Sequence, residues 1–228
     1  MTSKIRVGIL YGGKSVEHEI SLRSARNVAN YIDQEKFDPV LIGIDQDGHW
    51  YLNHDIDTAI TSGSPLALCL SQEDDTFRSP NNNAGTGKLD VVFPVLHGTD
   101  GEDGSIQGML TTAGVPFVGT GVLGSAVAMD KLVSKKLLKQ AGVPTSDFLA
   151  PTQDQLTDLS YDLIAEKLGV PFMAKPASLG SSVGVSKVNG PEDYEEAIKS
   201  IFKYDTAALF ESYIQGRELE CAVIGNQP

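Results

Sequence analysis

Apolar and β-branched residues fill positions 5–11 and stop at Gly12 and Gly13, the pattern of a buried strand followed by a turn. Ser21 is a helix-capping type of residue, and after it Leu22, Ala25, Val28, Ala29 and Ile32 recur at helical spacing. Residues 37–45 read as the next strand, and Asp47 with Gly48 ahead of Trp50, Tyr51 and Leu52 reads as a hairpin turn. The opening is therefore βαβ. Residues 71–88 are polar and aperiodic, which predicts a long surface loop. A buried strand resumes over 91–96. After His97 come an acidic, glycine-rich loop to Gly104, a short helix through Ile106, Met109 and Leu110, and a short strand over 116–118.

The pattern then changes. From Gly124 to about Gln140 the apolar positions Met129, Leu132, Val133, Leu137 and Leu138 alternate with Lys131, Lys135, Lys136 and Lys139, which predicts one amphipathic helix. A helix within 153–168, a strand over 172–175, a glycine-serine loop, a strand over 183–188 and a helix with Pro191 in its first turn follow. The last predicted strands span 207–214 and 218–224. Strand-loop-strand pairs replace the βαβ repeat, so a domain boundary is expected near residue 120.

Composition narrows the partners. The chain has 228 residues, 41% of them hydrophobic and 21% charged, as expected of a globular protein. Its 18 basic and 30 acidic residues leave a formal charge of -12, which disfavours a nucleic-acid partner read through a basic surface. Cys69 and Cys221 lie far apart in no metal-ligand spacing, so neither a disulfide framework nor a zinc site is expected. No apolar run approaches the length of a membrane span, and a soluble cytoplasmic protein is the expectation.

Two motif matches mislead. GILYGGKS over residues 8–15 fits the phosphate-loop expression, but Ile9, Leu10 and Tyr11 continue the strand past the first glycine, and Glu17 and Glu19 put negative charge beside any phosphate. GTGVLG over 119–124 fits the dinucleotide fingerprint, yet no second parallel βαβ unit follows it. A NAD-dependent oxidoreductase is accordingly disfavoured, and a hinge between domains is the preferred reading of that stretch.

Other residues carry more chemistry. Residues 175–184, KPASLGSSVG, join two strands through a loop longer than a hairpin needs. Ser178, Ser181 and Ser182 with the glycine-hinged backbone can close over phosphates, and Lys175 at the strand end supplies fixed positive charge. Lys131 is a second candidate cation. Glu211 and Glu218 flank the next turn, where carboxylates can meet ribose hydroxyls or an adenine amino group. In the first half, Glu17, His18 and Glu19 follow strand one, while His97, Asp100, Glu102 and Asp103 follow a later strand. Both loops should open at the carboxyl ends of parallel strands, with an acidic rim suited to an amino group.

Taken together, these motifs resemble the D-alanine-D-alanine ligases of the ATP-grasp superfamily over essentially the whole chain. The resemblance is carried by YGGKSVEHEIS at 11–21, LHG at 96–98 with GEDGSIQG at 101–108, MDK at 129–131, KP at 175–176 with GSSVG at 180–184, and GRELECAV at 216–223. It implies a Rossmann-like parallel-sheet α/β substrate domain over 1–119, an α+β ATP-grasp central domain over 120–213, and the beginning of a third domain over 214–228. By the family's pattern Glu17 and Ser181 are catalytic: Glu17 binds the ammonium of the first D-alanine, His97 sits near its carboxylate and Ser181 positions it. Lys131, Lys175 and Ser182 are assigned to ATP phosphates, Glu211, Ser212, Tyr213 and Ile214 to adenine, and Glu218 to ribose.

The implied reaction joins two D-alanines with ATP and Mg2+ through an acyl phosphate, for peptidoglycan synthesis, in a protein expected to be a homodimer. Family members continue beyond the position of Pro228 with the catalytic arginine and the magnesium ligands, so no metal ligand is assigned here and the chain as given is expected to be incomplete and inactive. A D-alanine-D-lactate ligase and a non-catalytic nucleotide-binding module are the alternatives.

Overall fold

The computed structural model describes residues 3–69, 76–81, 85–180 and 182–225, and these fall into two compact units. The first comprises Met1–Leu137 with Ser178–Val183, the second Leu138–Ala177 with Gly184–Pro228.

In the first unit, β1 (Ile5–Gly12) is followed by α1 (His18–Tyr31) and returns as β2 (Phe37–Ile44), paired parallel to β1. The predicted βαβ opening is present. β6 (Val91–Pro94) pairs parallel on the other side of β1, and Phe117 adds a single parallel bridge to Val92 in place of the predicted strand at 116–118. The far side of the sheet is antiparallel: β3 (Trp50–Asn53), β4 (Ser64–Leu68) and β5 (Phe77–Arg78) give the order β5-β4-β3-β2-β1-β6. The parallel β2-β1-β6 core carries the predicted α/β architecture, and the hairpin predicted at Asp47 and Gly48 begins its antiparallel extension.

The loop predicted over 71–88 is corrected in part, because Phe77 is fully buried and stacks on Trp50 with ring centroids 5.5 Å apart, which draws β5 onto the edge. Residues 71–75 and 82–84 of that loop lie outside the described residues. Leu22, Val28 and Ala29 of α1, with Ile32 just past its end, pack with Val7, Ile9 and Tyr11, as their helical spacing predicts.

Ser21 is not the cap of α1. The helix begins three residues earlier, with Glu17 at the N-cap position, and the Ser21 hydroxyl is used elsewhere. The single helix predicted up to Gln140 is two, α3 (Val122–Met129) and α4 (Lys131–Gln140), after α2 (Ser105–Thr112). Asp130 leaves helical geometry between them, and its carboxylate accepts the Val133 N-H at 2.9 Å, capping α4.

The second unit is a four-stranded antiparallel sheet in the order β7-β10-β8-β9, made of β7 (Phe148–Leu149), β8 (Phe172–Pro176), β9 (Ser186–Val188) and β10 (Ala208–Ser212). α5 (Tyr161–Leu168) and α6 (Pro191–Ile201) supply Ile164, Leu168, Tyr194, Ala197 and Ile201 to a core shared with Phe172, Ala174, Val188 and Phe210 of the sheet. β9 starts later than predicted because Gly184 has φ +69° and interrupts the run. The strand predicted over 218–224 is absent: those residues are exposed and pair with no strand among the described residues, so their alternation has no ladder to join.

Candidate active site

Parallel β1 and β6 end side by side, and the loops that follow them meet at the start of α1. Ser21, fully buried, accepts the Gly12 N-H at 2.8 Å and donates to the Val95 carbonyl, tying one strand end to the other. His18 Nδ1 lies 2.6 Å from the Gly13 carbonyl, which fixes the turn where Gly12 and Gly13 both take positive φ. Glu17 is thereby set against the second loop. Gly98 has φ +70°, and a Cβ there would overlap the Glu17 carboxylate and lie 2.6 Å from Ser15 Oγ, so only glycine lets the two loops approach. Gly180 faces the same carboxylate, at 3.9 Å from where its own Cβ would be.

His97 stands beside this contact. Its Nε2 is 3.0 Å from Ser24 Oγ and its Nδ1 3.7 Å from Glu102 Oε1, while the other Glu102 oxygen accepts the Gly98 N-H at 2.8 Å. Lys131 Nζ donates to the Leu179 carbonyl, so one predicted phosphate cation holds the 178–180 turn in this structure. Ser182 is exposed with φ +60°, and Ser181 lies outside the described residues. His97, Lys14, Ser15, Asp47, Trp50 and Thr99 line a cleft of about 240 Å³.

The expected acidic rim is corrected. Asp100 pairs with Lys14 at 3.1 Å, Glu102 is bound to Gly98, and Asp103 accepts the N-H groups of Asp100 and Ser105, each at 2.9 Å. These acids fold their own loop. Gln107, buried on α2, adds a bond from its amide to the Gly101 carbonyl at 2.9 Å. Lys14, pinned by Asp100 with its stem over Gly48, presents no phosphate loop, and Gly8 lies within β1 against Leu89 and Val92.

Burial and the negative charge of Asp55 push the Tyr11 phenol up to about 12, so it stays neutral at any physiological pH. Burial alone would raise the Asp103 carboxyl, but the N-H groups of Ser105 and Asp100 outweigh it and hold it below the ordinary carboxylate value.

In the second unit the alternation of β8 and β10 sorts residues onto two faces. Phe172, Ala174, Ala208 and Phe210 enter the core, and Met173, Lys175, Leu209 and Glu211 take the opposite face. Lys175 Nζ lies 2.5 Å from Glu211 Oε2, with side chains only 21% and 12% exposed. Lys187, paired across from Met173, sits 3.9 Å over the Tyr213 ring. Ser212 turns away and donates to the Leu168 carbonyl at 3.0 Å. Ile214 and Glu218 are exposed. Met173, Lys187 and Leu209 were legible only as members of alternating strands; Ser21 was legible as a helix-capping type of residue, and Ser24 carried no signal.

Among the described residues, the one cluster of three side chains close enough to share a cation is Asp45, Asp47 and His49, on the β2–β3 turn. Glu218 and Glu220 belong to no such cluster among the described residues. Among the described residues, no helix is long and apolar enough to cross a membrane.

Comparison with known proteins agrees along the chain. The family model described as D-ala D-ala ligase N-terminus matches residues 6–120, and that described as D-ala D-ala ligase C-terminus matches 137–228. A D-alanine-D-alanine ligase of Shouchella clausii is 45% identical over 235 residues, and D-alanine-D-alanine ligase A of Escherichia coli K12 is 46% identical over 234. Each alignment covers 98% of this chain and 64% of the relative, so the chain spans less than two thirds of the length of these relatives. The structure of the D-alanine-D-alanine ligase from Coxiella burnetii superposes with TM-score 0.83 at 33% identity, covering 94% of this chain and 65% of that one. The VanG D-Ala:D-Ser ligase from Enterococcus faecalis does so with TM-score 0.82 at 32% identity, covering 94% and 64%.

The α/β unit with its strand-end loops, and the antiparallel sheet bearing a lysine-glutamate pair, are those of an ATP-grasp fold. Within that class, the chain belongs to the D-alanine-D-alanine ligase family.

A carboxyl held low in the folded chain contributes stability above the unfolded carboxylate value, and that contribution is lost as pH falls through the folded value. Asp103→Asn should therefore lower stability at pH 7 and flatten its decline between about pH 5 and 2. Urea midpoints measured across that range check this; parallel curves for the two proteins would place the acid sensitivity elsewhere.

Proposed function

We propose that the protein is an ATP-dependent ligase that joins two D-alanines for peptidoglycan synthesis, working in the cytoplasm as a homodimer. The γ-phosphoryl group of ATP passes to a carboxylate oxygen of the first D-alanine, releasing ADP. The amine of the second D-alanine attacks the acyl carbon, and phosphate leaves as the peptide bond forms. Such chemistry depends on placing charge and excluding water more than on covalent participation by the protein.

In this reading residues 1–119 hold the amino acid, 120–213 grasp the nucleotide, and 214–228 open the third domain. Glu17 receives the ammonium of the first D-alanine, His97 faces its carboxylate, and Ser181 positions it. Lys131, Lys175 and Ser182 take the phosphates, Glu211, Ser212, Tyr213 and Ile214 surround adenine, and Glu218 meets ribose. Magnesium would neutralise the phosphates when bound, and no ligand for it is assigned among these residues. The observation that carries the reading is the meeting of Glu17, His97 and the 178–180 turn, far apart in sequence, at the ends of two adjacent parallel strands.

Nucleotide binding separates this reading from one built on the residue 8–15 motif. In the full-length protein titrated with a fluorescent ATP analogue, Lys175→Ala should weaken binding ten- to a hundredfold, the range of a charge-assisted contact, and Lys14→Ala less than threefold. Equal losses, or a larger loss at Lys14, would reject it. For the amino acid, Glu17→Gln should raise the D-alanine concentration needed for ATP-dependent phosphate release by the full-length protein about ten- to a hundredfold, with ATP affinity nearly intact. An unchanged D-alanine dependence would leave Glu17 a surface acid.

A further inference from the structure

A serine inside a helix ordinarily turns its hydroxyl to its own backbone. Ser24 of α1 instead reaches His97, with Oγ 3.0 Å from Nε2. On the other side of the ring, Nδ1 faces a Glu102 oxygen at 3.7 Å. Glu102 is not free to leave, because its second oxygen is bound to the Gly98 N-H. A carboxylate only accepts, so it favours the tautomer in which Nδ1 carries the proton; the Nε2 lone pair is then left to accept from Ser24.

The two contacts are unequal. At 3.0 Å the Ser24 bond is made, whereas 3.7 Å is beyond hydrogen-bond reach. Nε2 is the anchored nitrogen, and Nδ1-H keeps the capacity to donate to another acceptor.

We propose that Ser24 is a positioning residue, which anchors His97 by Nε2 and, with Glu102 facing Nδ1, keeps His97 in the Nδ1-H tautomer with Nδ1-H as the donor for the carboxylate of an amino-acid ligand. The inference deepens the proposed D-alanine site and rests on it for the ligand's identity. α1 is placed to do this: His18, Ser21 and Ser24, three residues apart on one helix face, bond in turn the loop after β1, both strand ends, and the loop after β6.

The test uses two readouts on the same variants. In long-range 1H–15N spectra of the neutral imidazole, wild-type protein should show His97 protonated at Nδ1. Ser24→Ala should shift it to a mixture of tautomers, and Ser24→Thr, which keeps the hydroxyl, should restore it. D-alanine affinity, followed by titration, should fall about three- to tenfold in Ser24→Ala and stay within twofold in Ser24→Thr. An unmoved tautomer in Ser24→Ala overturns the proposal, even if D-alanine affinity falls. A tautomer that moves without any change in D-alanine affinity upholds the positioning by Ser24 and overturns instead the reading of His97 as the carboxylate's partner.

Discussion

The hydroxyl of Ser21 sits fully buried between two parallel strand ends that are distant in sequence, accepting from Gly12 and donating to Val95. Both backbone groups lie where the sheet ladder has run out, and a buried donor or acceptor without a partner costs about 1–3 kcal/mol. One side chain satisfies two such groups and fixes the separation of the strands as it does so. The loops carrying Glu17 and His97 start within a few residues of that junction. Their closeness, seen in the glycine-only approach at Gly98, follows from it. α1 therefore does more than cover the sheet: its apolar face fills the core while its first turns arrange the candidate site.

The second unit shows the same economy in a different currency of interactions. The strand period of two sends Phe172, Ala174 and Phe210 into an aromatic core and leaves Met173, Lys175, Leu209 and Glu211 on one surface. A largely buried ion pair adds little net stability, since desolvation offsets its Coulomb attraction. Its value is geometric: each charge is held in place by the other on a rigid ladder.

Much of this was legible in sequence. Period-two and period-3.6 patterns located β1, α1, β2, the Asp47 turn, α2, β8 and α6, because in each a single apolar face decides the structure. The break between α3 and α4 was hidden, since the apolar spacing runs through Asp130 and only its capping bond to Val133 reveals the second helix start. β5 was hidden because one aromatic contact, Phe77 on Trp50, outweighs a polar neighbourhood. At the site, the motifs brought out Glu17 and His97. The acids at 100–103 were misread as ligand-facing because composition does not distinguish a carboxylate facing solvent from one consumed by backbone N-H groups. Ser24 is silent in sequence for a similar reason: serine is neutral in a helix, and its role exists only across to His97.

The dependence of both loops on Ser21 is most directly examined by amide hydrogen exchange in Ser21→Ala. Loss of the bridge should speed exchange about tenfold or more in residues 12–18 and, although they are remote in sequence, in residues 95–104, while residues 186–212 keep their protection. Faster exchange confined to α1, with the loop after β6 unaffected, would contradict the account.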